Sequence, residues 1–154
     1  MKILIKVSGD LINDCRVIRK IKMMARKNYT SVIHGAGTQI SNALKSRGIP
    51  YKFIKGIRHT TGEGLKICFK ESQKIGKGLK KKLKGKNIQI ISPVSKEKEK
   101  IINRNAEEIF KEISTNFDKK IIFTISDREK PLLKNVKGIG IIKIKPIEEN
   151  IMRP

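Results

Sequence analysis

Lys2-Ile3-Leu4-Ile5-Lys6-Val7-Ser8-Gly9 and Tyr29-Thr30-Ser31-Val32-Ile33-His34-Gly35-Ala36-Gly37 decide how this 154-residue sequence folds. Each is a short apolar run that stops at a glycine turn, and each is followed by residues with helical periodicity. Strands buried on both faces read as continuous apolar runs, as in parallel sheets covered by helices. A strand that ends in a glycine turn and opens a helix aims backbone N–H groups, and the positive helix end, at an anion. Two such units in succession predict a parallel pair with a right-handed crossover, its two turns facing each other at the carboxyl edge of one sheet. That edge is where open α/β sheets hold phosphorylated or carboxylated ligands.

Outward from these strands the pattern continues. Asn13 or Asp14 can cap a helix whose apolar positions Val17, Ile18, Ile21, Met24 and Ala25 recur at helical spacing. A second, short helix over 38–45 ends before Gly48-Ile49-Pro50. Residues 51–54 are extended, the chain turns at Gly56-Ile57-Arg58, and a long helix is predicted over 61–83 with Glu63 in its first turn. Leu65, Cys68, Ile75, Leu79 and Leu83 form its apolar seam, while Lys66, Lys70, Lys74, Lys77, Lys81 and Lys84 make a ridge roughly 27 Å long at about 1.5 Å per residue. Gly76 and Gly78 are expected to weaken its middle by about 1 kcal/mol each.

In the second half, 87–91 reads as a strand closing at Ser92-Pro93, and the polar run 95–100 leads into a helix over 101–113. Residues 121–125 read as a buried strand, Pro131-Leu132-Leu133 as one helical turn, and 138–144 as a last strand before a tail ending in Arg153-Pro154. The expected architecture is α/β: a three-layer α/β/α sandwich with a mainly parallel central sheet. It forms one domain over 1–154, with a turn-bearing half (1–92) and a shorter second half (93–154).

The formal net charge is +22, from 36 Lys+Arg against 14 Asp+Glu. A field of that sign concentrates polyanions such as RNA, DNA or nucleotides, whereas compositional drift toward Lys and Ile gives the same total without a function. Only clustering separates the two. Cys15 and Cys68 make no disulfide framework, which points to a reducing compartment. No signal core and no run of ~20 apolar residues is present, so a cytoplasmic protein without a membrane partner is expected. His34 and His59 have no Cys, Asp or Glu at ligand spacing, and no metal site is read here.

Three blocks resemble the amino acid kinase superfamily, most closely its N-acetylglutamate kinase branch. Lys6-Val7-Ser8-Gly9 is similar to the opening strand whose lysine contacts the transferred phosphate. His34-Gly35-Ala36-Gly37, backed by Gln39-Ile40 and Leu44, looks like the second glycine turn, and Gly56-Ile57-Arg58-His59-Thr60 with Glu63 and Leu65 looks like the segment whose arginine holds the substrate carboxylate. The resemblance implies a catalytic Lys6, phosphate binding at Ser8, Gly9, Gly35, Ala36 and Gly37, and substrate binding at Arg58. ATP and magnesium are implied if the protein is active. Phosphoryl transfer asks mainly for positioning and charge neutralisation, which suits these residue types.

A full family member is longer, and two alignments of the remainder compete. In one, Asn103-Arg104-Asn105-Ala106-Glu107 matches an asparagine-bearing substrate segment, making Asn103 and Asn105 substrate-binding, and Phe123-Thr124 with Asp127 opens a nucleotide loop. In the other, which accounts better for Pro131-Leu132 and the glycine-rich last strand, Lys100 and the helix after it match a late helix. Lys100 then stands for a second phosphate-binding lysine, and the middle of the fold is missing.

Two functions follow. One is an ATP-dependent phosphotransferase acting on a carboxylate or similar small acid, weak or lost if parts are absent. The other is an inactive, kinase-derived scaffold that binds RNA or a ribonucleoprotein through the lysine ridge, reading backbone rather than bases because aromatics are few. A homo-oligomer is compatible with both.

Overall fold

The computed structural model describes residues 1–125, 133 and 135–145. Strands β1 (Lys2–Val7), β2 (Tyr29–His34), β5 (Ile88–Ile91), β8 (Lys119–Thr124) and β9 (Ile139–Lys143) form one sheet in the order β5-β2-β1-β8-β9. Every pairing in it is parallel. The helices are α1 (Cys15–Ala25), α2 (Gly37–Lys45), α3 (Gly62–Leu83) and α4 (Ala106–Ile113). Asp14 caps α1, its carboxylate accepting from the Arg16 amide at 2.8 Å.

The two-residue alternation of β1 sorts the layers. Ile3, Ile5 and Val7 pack with Val17 and Ile21 of α1 and with Leu79 and Leu83 of α3. Leu4 points the other way, with Ile33 and Ile122, onto Ile109 and Phe110 of α4. Full burial of a side chain such as Phe110 contributes about 1.5–3 kcal/mol. Lys6 shares parity with Leu4, so the alternation puts it on the α4 face at the carboxyl end of the central strand.

Two hairpins depart from the expected elements. Where a bare turn was expected at Gly56-Ile57-Arg58, β3 (Tyr51–Ile54) pairs antiparallel with β4 (Ile57–Thr60). Lys55 and Gly56 make the bend, both with positive φ. Where a helix was expected from residue 101, β6 (Val94–Glu97) pairs antiparallel with β7 (Lys100–Asn103), and α4 is confined to eight residues. The turn at Lys98, with φ 53°, is one that charge patterning does not reveal. Residues 131 and 132 of the expected helical turn, Asp127, and the Arg153-Pro154 tail lie outside the described residues. No helix among the described residues is long and apolar enough to cross a membrane.

The two glycines of α3 differ in role. Gly76 is buried where the helix crosses the sheet, and a Cβ there would meet Ser92 Oγ at 2.8 Å and His34 Nε2 at 3.3 Å. Gly78 is exposed and faces open space. Gly78→Ala is therefore expected to stabilise the fold by about 0.5–1 kcal/mol through helix propensity. Gly76→Ala is expected to destabilise it by about 1–3 kcal/mol through overpacking. Urea denaturation of both variants checks the opposite signs.

Candidate functional site

The parallel register pairs Lys6 with Ile33 and Val7 with His34, so β1 and β2 end side by side. Their turns touch: a Cβ on Gly35 would lie 2.7 Å from the Gly9 nitrogen, and one on Gly9 would lie 3.2 Å from the Gly35 oxygen. Glycine at position 35 is a steric requirement of this approach, while a Cβ at position 9 would fit only if its neighbours gave by a few tenths of an ångström. Gly35 N donates to Val7 O at 2.8 Å, Ser8 N donates to Phe123 O at 3.0 Å, and the Gln39 side chain donates to Gly9 O at 2.8 Å.

These bonds correct one expectation. The amides of Ser8 and Gly35 are engaged by strand carbonyls and so serve to join the turns rather than to hold a ligand. Ser8 itself is buried, its hydroxyl 3.4 Å from Thr124 Oγ1. The start of α2 differs, for Ala36 stands at its N-cap without any side-chain cap. First-turn amides of a helix have no intrahelical partner, so those of α2 are suited to an anion.

A cavity of about 580 Å³ opens beside that helix start. Its walls include Lys6, the segment from Gly35 to Thr38, Tyr51, Phe53 and Arg58 of the β3–β4 hairpin, and Asn103, Asn105 and Glu107 at the β7–α4 junction. Of the site residues read from sequence, the fold gathers Lys6, Gly35, Ala36, Gly37, Arg58, Asn103 and Asn105 here. Ser8, Gly9 and Lys100 do not line it. Lys100 is exposed opposite Glu97 at the turn of the β6–β7 hairpin, because the helix that was to present it begins only at Ala106. Asn103 and Asn105 are part of the cavity wall.

Arg58 is only 6% exposed. One terminal nitrogen donates to Gly37 O at 2.8 Å and to Ser41 Oγ at 2.7 Å, and its guanidinium lies 4.8 Å from the Phe53 ring centre and 5.1 Å from that of Tyr51. Burial pulls its pKa below the ordinary arginine value, with the nearby Cys68 thiol and Tyr51 working against that shift. The same burial pushes the Cys68 thiol up, and Arg58 opposes it. Among the described residues no carboxylate pairs with Arg58, and its buried Nε has no hydrogen-bond partner. A buried cation without a counter-ion is costly, and an anionic ligand would remove that cost.

Lys6, equally buried, sits 3.4 Å from Glu107 Oε1. Glu107 lies in the cavity wall beside Lys6 but is not among the site residues read from sequence; the signal was its place at the end of Asn103-Arg104-Asn105-Ala106-Glu107. Among the described residues, the cavity wall holds four cations, Lys45 and Arg104 included, against the carboxylate of Glu107. The asparagines act first as stitching. Asn103 Nδ2 donates to Arg58 O at 2.7 Å and Asn105 Nδ2 to Gly56 O at 3.1 Å, while Asn105 Oδ1 caps α4. They tie the Arg58 hairpin to the element that carries Glu107.

His34 is fully buried behind the second turn. The Gly35 carbonyl can only accept, so Nδ1 carries the proton, and Nε2 accepts the Ser92 hydroxyl at 2.8 Å. Burial lowers its pKa to about 4. Because the unfolded chain binds this proton near pH 6.5, the neutral histidine contributes stability above that pH and loses it as pH falls toward 4. The loss is on the order of 3 kcal/mol at about 1.4 kcal/mol per tenfold difference. Urea midpoints between pH 7 and pH 4 should fall more steeply for the natural protein than for His34→Gln; parallel curves would contradict this account.

No family model matches the chain. Over 69 residues, 42% of its length, it is 35% identical to the acetylglutamate kinase of Akkermansia muciniphila, and the match spans 23% of that enzyme. Solved structures extend the likeness to the fold. N-acetylglutamate synthase from Neisseria gonorrhoeae, complexed with coenzyme A and L-arginine, superposes with a TM-score of 0.63 at 13% identity over 84% of this chain and 44% of the synthase. The same synthase complexed with coenzyme A and N-acetyl-glutamate gives 0.64 at 14% identity, over 82% of this chain and 42% of the synthase. The smu.665 protein of Streptococcus mutans UA159 gives 0.64 at 15% identity, over 83% of this chain and 73% of its own. The chain thus spans less than half of the synthase and matches about a quarter of the kinase.

Proposed function

We propose that the cavity binds a small carboxylate of the N-acylated acidic amino acid class and that the protein is kinase-like, orienting this acid for phosphoryl transfer from ATP. The observation that carries the reading is Arg58, a buried guanidinium on the wall of the same cavity as Lys6, with no carboxylate partner among the described residues. The partial sequence match to an acetylglutamate kinase supports the same ligand class.

Each residue then has a task. Arg58 clamps a carboxylate, held in place by Gly37, Ser41 and the two rings. Lys6 neutralises charge on the transferred phosphoryl group, and Glu107 fixes the direction of its ammonium. The α2 amides receive the remaining oxygens. The donor set fits a carboxylated or phosphorylated anion; a magnesium ion arriving with ATP would add charge neutralisation at the phosphates.

Titration calorimetry with N-acetyl-L-glutamate tests the binding claim. Heat of binding is expected for the natural protein and a loss of at least tenfold in affinity for Arg58→Met, which keeps bulk but no donor. A folded natural protein that gives no heat, alone or with magnesium-ATP, contradicts the reading. Release of ADP that requires both the acid and Lys6 tests transfer separately, and acid binding without ADP release would leave a binding protein in place of a kinase.

A further inference from the structure

We propose that the outer face of α3 is a docking surface for double-helical nucleic acid, gripping the phosphate backbone without reading sequence. Lys66, Lys70, Lys74, Lys77 and Lys81 on the helix and Lys84 at its C-cap are all exposed. At about 100° per residue they fall within an arc of about 80°, and buried Cys68, Ser72, Leu79 and Leu83 centre on the opposite side. The seam against the sheet therefore aims the lysines straight outward. Glu63 in the first turn is the acidic residue that shares their arc. None of the six lysines is in an ion pair among the described residues.

The geometry selects the partner. The ridge is straight and about 27 Å long, with a charge every third or fourth residue, and a stiff helix matches a stiff polyanion better than a flexible acidic tail. Phe69, the aromatic of α3, is half-buried in the core, so no ring stands on this face to stack an unpaired base. None of the six lysines lines the Arg58 cavity, so the surface stands or falls independently of the acid-binding reading.

Fluorescence anisotropy with a 20-base-pair RNA duplex of arbitrary sequence, over a salt series, tests this. Six phosphate contacts predict a slope of log K against log salt of about −5, or roughly a thousandfold weakening between 50 and 200 mM. Lys70→Gln/Lys74→Gln/Lys81→Gln should weaken binding at least tenfold and reduce the slope by about 2.7. The charge-matched control Lys20→Gln/Lys22→Gln/Lys27→Gln, at exposed positions on and just after α1, should weaken it far less. Far-UV circular dichroism confirms that both variants fold. Equal weakening by the two triples assigns the effect to net charge and overturns the proposal. So does a flat salt response, an absence of binding, or tighter binding to poly-glutamate or single-stranded RNA than to the duplex.

Discussion

The contact between the Gly9 and Gly35 turns is the constraint on which the site depends. It follows from the pairing of β1 with β2 in a register that ends both strands at the same level. The approach leaves no room for a Cβ on Gly35 and little for one on Gly9, and the strand carbonyls of Val7 and Phe123 take up the amides of Gly35 and Ser8. With the turns locked, α2 can start only at the edge of the cavity, and Lys6, one residue before the last of β1, can project only onto the α4 face. The chemistry offered to a ligand comes from that helix start and from two buried cations, with the turns as their frame.

Those two cations are held differently. Lys6 has the Glu107 carboxylate beside it, an opposite charge present before any ligand arrives. Arg58 is held by a carbonyl, a hydroxyl and two aromatic faces, none of which carries a negative charge. On the proposed reading such a pair divides labour: Lys6 is preorganised beside a carboxylate, and Arg58 receives its anion from the ligand. The asparagines that bridge Gly56 and Arg58 to the start of α4 keep the two within one cavity although they come from separate layers.

The sequence shows the parallel sheet clearly, because β1, β2, β5 and β8 are apolar runs bounded by turn residues, and α1, α2 and α3 carry helical periodicity. It hides the two hairpins. Lys55 and Lys98 adopt positive φ without being glycine or asparagine, and β6 and β7 are too polar for a strand to stand out from a solvated loop. Misreading 94–103 moved the expected start of α4 forward, which gave Lys100 a role that its exposed position does not support. Glu107 appears in sequence only as the end of the asparagine-bearing segment, because its contact with Lys6 joins two different elements. Gly76 shows the converse: helix propensity marks it as a weakness, and only packing reveals that the His34-Ser92 pair needs the space.

On the proposed reading Arg58 waits, buried, for the carboxylate of a small acid. Proton–nitrogen correlation spectra that include the arginine Nε–H resonances observe that group directly. On titration with N-acetyl-L-glutamate the account predicts a large, saturable shift of the Arg58 Nε–H signal, accompanied by the backbone amides of Gly37 and Thr38. An Arg58 signal that stays in place while the ligand binds elsewhere would contradict it.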